Sequence, residues 1–277
     1  MMTDEDVRHL EKTARDVRRS IIDMLIAAKS GHTAGPLDMA DIFTYLFFRG
    51  LKLDPEKPEW EERDLLVLSN GHICPVLYAT MAHRGFFPVE ELQTLRKFGS
   101  RLQGHPHREW LKGLENSSGP LGAGLSQAVG MALADRLDNG RTSARKIVCL
   151  TGDGELDEGQ NWEAIMLAAK EKIQNLTVFV DRNNIQIDGF TEDIMPLNPL
   201  PDKWRAFNWH VQEIDGHNFR DIEKAFGEAQ AVFDRPSVII ANTISSKGIP
   251  AFERKYEWHG KPPTTPEEIE TARTALS

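Results

Sequence analysis

The feature that most constrains the fold is a regular alternation of short apolar runs and helical patterns in the second half of the chain. In chain order, apolar runs and helical patterns lie at 146–151, 159–171, 176–180, 209–214, 218–233 and 237–241. Runs that are apolar at nearly every position suit strands that are buried on both faces. The sequence therefore predicts an α/β fold with a mostly parallel sheet flanked by helices on both faces.

The first half of the chain adds helices and one more strand to this prediction. Helical periodicity covers 4–29 and 37–48, a short apolar run at 65–68 predicts a strand, and a helix is expected over 75–83. A glycine-rich stretch at 99–124 predicts a long loop, which in a compact domain is usually functional or disordered.

The domain organisation that we expect is one large unit and a short appendage. Residues 1–260 are predicted to form the α/β domain. Residues 261–277 contain three prolines and end in a short polar helix, so they are predicted to form a peripheral tail.

Composition argues against several classes of binding partner and cellular compartment. The net charge of −9 argues against a general binder of nucleic acid or of anionic membranes. No segment approaches the roughly 20 apolar residues of a membrane span, and charges from Asp4 onward leave no room for the apolar core of a signal peptide. Two cysteines do not make a disulfide framework. We therefore expect a soluble, cytoplasmic protein.

Polar residues follow two consecutive predicted strands, where a parallel sheet places its ligand sites. Gly152-Asp153-Gly154 leaves the first of these strands, and Asn183 follows the second. Because the carboxyl ends of parallel strands meet at one edge, both loops face one crevice. The Asp153 carboxylate, the Asn183 amide oxygen and the Ile185 carbonyl are hard ligands that suit Mg²⁺ and leave coordination positions for phosphate oxygens and water. Each turn alone is more often an ordinary loop, and the pair together predicts the site.

A second glycine-rich segment, Gly119-Pro120-Leu121-Gly122, opens a helix predicted to run to about Leu137. Glycines permit close backbone approach, and the N–H groups of a first helical turn favour an anion. An ordinary glycine-rich helix start explains this segment equally well when it is considered alone.

Histidines give a third signal. Of nine histidines, four lie beside glycine in irregular segments, namely His32, His72, His105 and His259. One such histidine is usually structural. Four are better explained as polar groups that are brought to one site.

Together these segments resemble the diphosphate-binding half of transketolase. The matching segments are SGHTAGPLDMA, LSNGHICPVLY, GHP, SSGPLGAGLSQAVGMA, TGDGELDEGQNWEA, VDRNNIQIDG and WHG, in family order from His32 to His259. The pairing of the GDG and NN segments is typical of thiamine-diphosphate enzymes. The histidines and GPLG favour transketolase within that class.

The resemblance implies thiamine diphosphate as cofactor, held through Mg²⁺ or another divalent cation such as Ca²⁺ or Mn²⁺. It implies that Asp153, Asn183 and the Ile185 carbonyl hold the cation. The positions that it implies for cofactor binding are His72, Gly119, Pro120, Leu121, Gly154, Glu158, Asn183 and His259.

The resemblance also implies roles at the sugar. His32 and His105, together with His259, would hydrogen-bond the sugar or the reacting carbon and are the implied catalytic residues. Glu158 and Glu163 match acidic positions that link cofactor sites across a subunit interface. Stabilisation of the first turn of a helix explains these two glutamates as well.

The sequence departs from the family in its first motif and in its extent. Thr33 and Asp38 stand where the family often has proline and glycine. No segment resembles the pyrimidine-binding domain, which holds the activating glutamate, or the third domain, and the family's phosphate-binding arginines lie beyond this chain's end. We therefore expect one subunit of a split transketolase. Its partner would be a C-terminal subunit with the pyrimidine-binding domain, in a heterotetramer with two copies of each chain.

The implied reaction is transfer of a two-carbon glycolaldehyde unit from a ketose to an aldose, with sugar phosphates as substrates. Alternatives within the cofactor class are an enzyme like deoxyxylulose-phosphate synthase and a subunit of a 2-oxo acid dehydrogenase. A non-catalytic subunit that kept the fold is the alternative outside it. Such a subunit would be expected to have a degenerate site, whereas Asp153, Asn183 and the four histidines are all present.

Overall fold

The computed structural model describes residues 2–140 and 143–277. The α-helices are α1 (Asp4–Ala28), α2 (Ala34–Asp38), α3 (Ala40–Tyr45), α4 (Cys74–Arg84), α5 (Ala123–Asn139), α6 (Gly159–Lys170), α7 (Thr191–Ile194), α8 (Leu200–Ala206), α9 (Phe219–Ala231) and α10 (Pro266–Ala275). The strands are β1 (Leu65–Leu68), β2 (Ile147–Gly152), β3 (Leu176–Arg182), β4 (Ile185–Gln186), β5 (Gly189–Phe190), β6 (His210–Asp215) and β7 (Ser237–Asn242). A π-helical turn covers Leu46–Gly50, and short 3-10 helices cover Gly71–Ile73, Val89–Thr94, Gly154–Asp157 and Tyr256–Trp258.

Five strands form one sheet in the order β1-β2-β3-β7-β6, and every neighbouring pair is parallel. β4 and β5 form a separate two-stranded antiparallel hairpin. The central strand β3 is buried along its whole length. The predicted α/β fold with a parallel sheet is therefore confirmed.

Helices cover both faces of the sheet, because strand side chains point alternately to either side. Val148 and Leu150 of β2 pack into a core shared with α1, α3, α4 and α9. Ile147 and Cys149 of the same strand pack into a second core with α5, α6 and α8. The near-continuous apolar runs of the sequence follow from this burial on two sides.

The structure differs from the predicted elements mainly near Pro36. The helix expected from Leu37 begins at Ala34, since proline is tolerated in a first helical turn, and it is interrupted at Met39. The predicted loop at 99–124 is irregular as far as Gly122, and α5 begins at Ala123.

The segment predicted as a peripheral tail contains α10, which packs on α1. Ala272 and Leu276 are buried in the same core as Ile21, and Arg273 forms an ion pair with Asp23 at 3.0 Å. The domain division at residue 260 stays a prediction. Within residues 2–140 and 143–277, no helix is both long enough and apolar enough to cross a membrane.

A buried ion-pair network joins α1, α3 and the loop after β6. Arg18 donates two hydrogen bonds to the Asp41 carboxylate, at 2.6 and 2.9 Å, and a third to the Leu37 carbonyl. His217 Nε2 accepts the Ile244 N–H, so its Nδ1 donates to Asp41 Oδ2 at 2.8 Å. Burial acts to raise the pKa of Asp41, but Arg18 and His217 outweigh it and hold that pKa below the ordinary value.

We predict that Asp41→Asn lowers the free energy of unfolding by about 3 kcal/mol, because it leaves the buried Arg18 guanidinium without its counter-charge. Urea unfolding at neutral pH measures this. Asp23→Asn breaks the exposed pair with Arg273 and should change the value by less than about 0.5 kcal/mol. Equal losses in the two variants would contradict the importance given to the buried network.

Candidate functional site

The candidate site is a cavity at the carboxyl edge of the sheet. The loops that follow β1, β2 and β3 meet there because these strands are parallel neighbours. The cavity has a volume of about 370 Å³. It is lined by ten of the residues singled out from the sequence: His32, His72, His105, Gly119, Leu121, Asp153, Gly154, Asn183, Ile185 and His259.

Three predicted residues, Pro120, Glu158 and Glu163, are not in the cavity lining. All three are exposed: Pro120 lies in the loop before α5, Glu158 directly precedes α6 and Glu163 lies on α6. A larger groove of about 860 Å³ runs beside β6 and α9 and contains none of the predicted site residues. The smaller cavity, which holds the predicted histidines and the possible cation ligands, is therefore the candidate site.

Asp153 is held in one orientation by its neighbours. It is buried, and its Oδ2 accepts hydrogen bonds from Arg182 Nη1 at 3.0 Å and from the Asn184 N–H at 2.9 Å. Its Oδ1 accepts the Gly154 N–H at 2.7 Å, with no second donor among the described residues. Burial raises the pKa of Asp153, and the Arg182 guanidinium opposes that rise. Oδ1 therefore keeps the larger capacity to bind a cation.

The Asn183 amide is also fixed. Its Nδ2 donates to Asp38 Oδ2 at 2.9 Å and to Asp181 Oδ2 at 3.1 Å, so both of its hydrogens are used. Its Oδ1 accepts the Ile185 N–H at 3.1 Å and retains a second lone pair. The two carboxylates thus determine which end of the amide is available as an oxygen ligand.

Asp38 explains one departure from the family motif. It is fully buried, and burial together with the nearby Asp181 raises its pKa well above the usual range. Burial likewise raises the pKa of Asp181, whose Oδ1 accepts the Thr243 hydroxyl at 2.5 Å. Asp38 therefore helps to fix the orientation of the Asn183 amide.

Thr33, the other departure, ties two parts of the site together. Its buried hydroxyl donates to the Lys261 carbonyl at 2.6 Å. This bond holds the segment after His259 against the segment that begins with His32. The ring centroids of these two histidines are 5.6 Å apart in an edge-on arrangement.

Within residues 2–140 and 143–277, no group of three or more histidine, cysteine, aspartate or glutamate side chains is arranged to hold a metal ion. A cation at this cavity would therefore use amide and carbonyl oxygens besides one carboxylate. Asp153, Asn183 and the Ile185 carbonyl are a set of this kind, with the oxygen chemistry that Mg²⁺ prefers.

Three histidine rings in the cavity lining form a compact cluster. The His32 and His72 centroids are 4.7 Å apart, and those of His72 and His259 are 5.7 Å apart. His105 is more exposed and lies at the cavity lining near Gly119. Nδ1 of His32 and of His259 is buried and has no hydrogen-bond partner in the part of the chain that the structure describes.

Burial sets the charge of this cluster. It lowers the pKa of His32 and of His259 to about 4, and it lowers the pKa of His72 well below the ordinary value. The neighbouring imidazoles add to the effect at His32 and His72. At neutral pH these rings are therefore uncharged, and each has one donor and one acceptor nitrogen.

Several contacts in the cavity wall were not predicted from the sequence. Asp181 and Arg182 lie within the buried strand β3, and Glu155 lies inside the helical turn after Gly154. The Gly-Asp-Gly motif was the available signal for Glu155, since the next residue in such a turn faces the same crevice. Arg182 lies two residues beyond the apolar run at 176–180, so no signal in the sequence indicated that it belongs to the strand.

We predict NMR titration midpoints near pH 4 for the His32 and His259 rings, because burial disfavours their charged forms. The resonances can be assigned with His32→Gln and His259→Gln. Since the unfolded chain binds these protons near pH 6.5, stability should fall as the pH drops from about 6.5 towards 4. Midpoints above pH 6 for both rings would contradict the buried, neutral cluster.

Comparisons with known proteins identify the family of the chain. The family described as transketolase, thiamine diphosphate binding domain, matches residues 10–277. A 6-deoxy-6-sulfo-D-fructose transketolase subunit of Clostridium sp. (strain MSTE9) is 44% identical over 250 residues, which are 90% of each chain. An apulose-4-phosphate transketolase subunit of Actinobacillus succinogenes is 40% identical, over 96% of this chain and 95% of that one.

The solved structure of transketolase from Campylobacter jejuni superposes with a TM-score of 0.90 at 35% identity. The match covers 97% of this chain and 43% of that one, so the chain spans less than half of the single-chain enzyme. The match over residues 10–277 and the extent of the similar subunits lead to one conclusion. The chain belongs to the transketolase family and corresponds to its thiamine-diphosphate-binding section.

Proposed function

We propose that the chain supplies the diphosphate-binding half of a two-chain transketolase, which transfers a two-carbon glycolaldehyde unit from a ketose to an aldose. One observation carries the proposal. A cluster of histidines lines the same cavity as Asp153 and Asn183, at the carboxyl edge of the sheet. Because the chain belongs to the transketolase family, ketol transfer is the reaction that we propose for this arrangement.

The cavity fits a polar ligand. Buried polar groups nearly always have a hydrogen-bond partner, yet His32 Nδ1, His259 Nδ1 and Asn70 Oδ1 have none within residues 2–140 and 143–277. All three residues line the cavity. A ligand with several donors and acceptors, such as thiamine diphosphate, would satisfy them.

A second group of lining residues fits a diphosphate and its cation. Asp153 Oδ1, Asn183 Oδ1 and the Ile185 carbonyl would hold Mg²⁺, and the cation would offset the charge of the diphosphate. Gly154 and Gly119 present backbone without side chains, and His72 can donate to a phosphate oxygen. When bound, thiamine diphosphate supplies the nucleophilic thiazolium carbon that takes up the two-carbon unit.

The histidines can donate and accept protons at the oxygens of the sugar. His32 and His259 are neutral at the working pH, so each can donate to one sugar oxygen and accept from another. His105 stands at the more exposed side of the cavity, where a sugar would enter. We assign these three residues to hydrogen bonding with the sugar and to proton transfer at its hydroxyl or carbonyl oxygen.

Two features support a second chain. The relatives from Clostridium and Actinobacillus are named as subunits, and this chain covers 90% and 95% of their lengths. In the cavity lining, Ile187 is 63% exposed and Leu121 is 36% exposed, which suits a surface that another protein covers. We propose a C-terminal subunit that carries the pyrimidine-binding domain, in a heterotetramer with two copies of each chain.

The substrate class follows from the same relatives. One is named for a sulfonated ketose and another for a phosphorylated sugar. The shared chemistry is a sugar with an anionic end. We propose a donor ketose of this class, with the anion bound by residues of the second chain.

The test is reconstitution from two purified chains. We predict no ketol transfer by this chain alone and full transfer after it is mixed with the C-terminal subunit, Mg²⁺ and thiamine diphosphate. Sulfonated and phosphorylated ketoses serve as donors, with an aldose phosphate as acceptor. Turnover by the isolated chain would contradict the two-chain enzyme, and a mixture without ketol transfer would contradict the function.

Asp153→Asn in the same mixture tests the cation site. It removes a charge with little change of shape, and the apparent affinity for thiamine diphosphate should fall by more than about a hundredfold. Asp193→Asn is the matched control, because Asp193 is an exposed carboxylate on α7 outside the cavity lining. Unchanged affinity in the Asp153 variant would show that the cation binds elsewhere.

A further inference from the structure

Glu155 is a buried carboxylate in the cavity wall to which neither the sequence motifs nor the proposed reaction gives a role. It is 3% exposed and lines the cavity. Its Oε1 accepts hydrogen bonds from the Ser69 hydroxyl at 2.5 Å and from the Gly122 N–H at 2.7 Å. Its Oε2 accepts the Gly152 N–H at 3.1 Å.

These three donors come from three separate segments of the chain. Ser69 follows β1 and leads to His72, Gly122 ends the loop that begins at Gly119, and Gly152 ends β2. Each segment contributes to the cavity lining. One carboxylate therefore joins three walls of the same cavity.

The first two segments are also in close contact with each other. A Cβ placed on Gly124 would lie 2.5 Å from Ser69 Cα. A Cβ on Gly71 would lie 2.5 Å from Ser118 Oγ. Glu155 lies beside this contact and bonds to both sides of it.

Only a carboxylate satisfies this arrangement. All three partners are donors, and a carboxylate accepts on both oxygens. Glutamine would turn an NH₂ group towards either the Gly152 N–H or the Gly122 N–H. Within residues 2–140 and 143–277, no ion pair includes Glu155, and burial raises its pKa. The three groups that donate hydrogen bonds to the Glu155 carboxylate thus all belong to the cavity walls.

We infer that Glu155 is a positioning residue, which holds the three segments in the conformation that binds the diphosphate before the cofactor arrives. This inference rests on the proposed function. A preformed wall saves the cost of ordering these segments on binding, so the carboxylate should increase affinity without touching the cofactor.

Asp64 provides a matched control at the opposite ends of β1 and β2. It is also 3% exposed, and its two oxygens accept the Lys52 N–H and the Lys146 N–H, each at 2.8 Å. It precedes β1, so it lies at the amino edge of the sheet, opposite the cavity. Asp64→Asn weakens a similar set of buried hydrogen bonds, but at the edge of the sheet that is away from the cavity.

The experiment compares Glu155→Gln with Asp64→Asn by two measurements. Hydrogen exchange on this chain alone should show faster exchange over 118–124 in the Glu155 variant and wild-type exchange there in the Asp64 variant. Calorimetry on the assembled two-chain enzyme with Mg²⁺ should show thiamine diphosphate binding at least tenfold weaker in the Glu155 variant. The Asp64 variant should bind within twofold of the wild type, even where its thermal stability is reduced.

Wild-type affinity in the Glu155 variant would overturn the inference and leave the proposed function standing. Equal losses of affinity in the two variants would also overturn it, since they would mark a general loss of stability. Failure of the wild-type assembly to bind thiamine diphosphate would overturn the proposed function and this inference with it. If Glu155→Gln does not fold, Ser69→Ala removes one of the three donors, and unchanged affinity there would overturn the inference.

Discussion

The parallel pairing of β1, β2, β3 and β7 is the constraint on which the site depends. The register aligns Gly152 with Asp181 and Arg182 with Asn242, so the strands end at nearly one level. The Asp153 N–H then donates to the Asp181 carbonyl at 3.0 Å. Because a shift of one residue would send every strand side chain to the other face, the two hydrophobic cores fix this register. The position of the site thus follows from the packing of the sheet.

Three buried acids lie among or beside the residues that are proposed to hold a cation, and hydrogen bonds hold each of them. Asp153 has a positive partner in Arg182, whereas Asp38 and Asp181 share the Asn183 amide. Burial raises the pKa of these carboxyls, so their arrangement is costly without a compensating charge. A divalent cation would supply that charge.

The sequence alone predicts what is periodic or local, and it misses what depends on tertiary contact. The strands around 147 and 176 were predictable from apolar runs, and Asp153 and Asn183 from their places after these strands. The β4–β5 hairpin has two residues per strand, too few for any periodicity. The bond from Asn183 to Asp38 spans 145 positions, and no local pattern indicates it. Pro120 shares a motif with Gly119 but is absent from the lining, because a motif does not specify which of its side chains turns inward.

The most direct test of the proposed cation site is anomalous diffraction from Mn²⁺ in crystals of the assembled enzyme grown with thiamine diphosphate. Mn²⁺ takes the same oxygen ligands as Mg²⁺ and can be located without reference to the protein chain. We predict one strong peak in the cavity, with Asp153, Asn183 and the Ile185 carbonyl as its protein ligands and diphosphate oxygens completing the shell. A peak at other residues, or a diphosphate bound outside the cavity, would contradict the assignment.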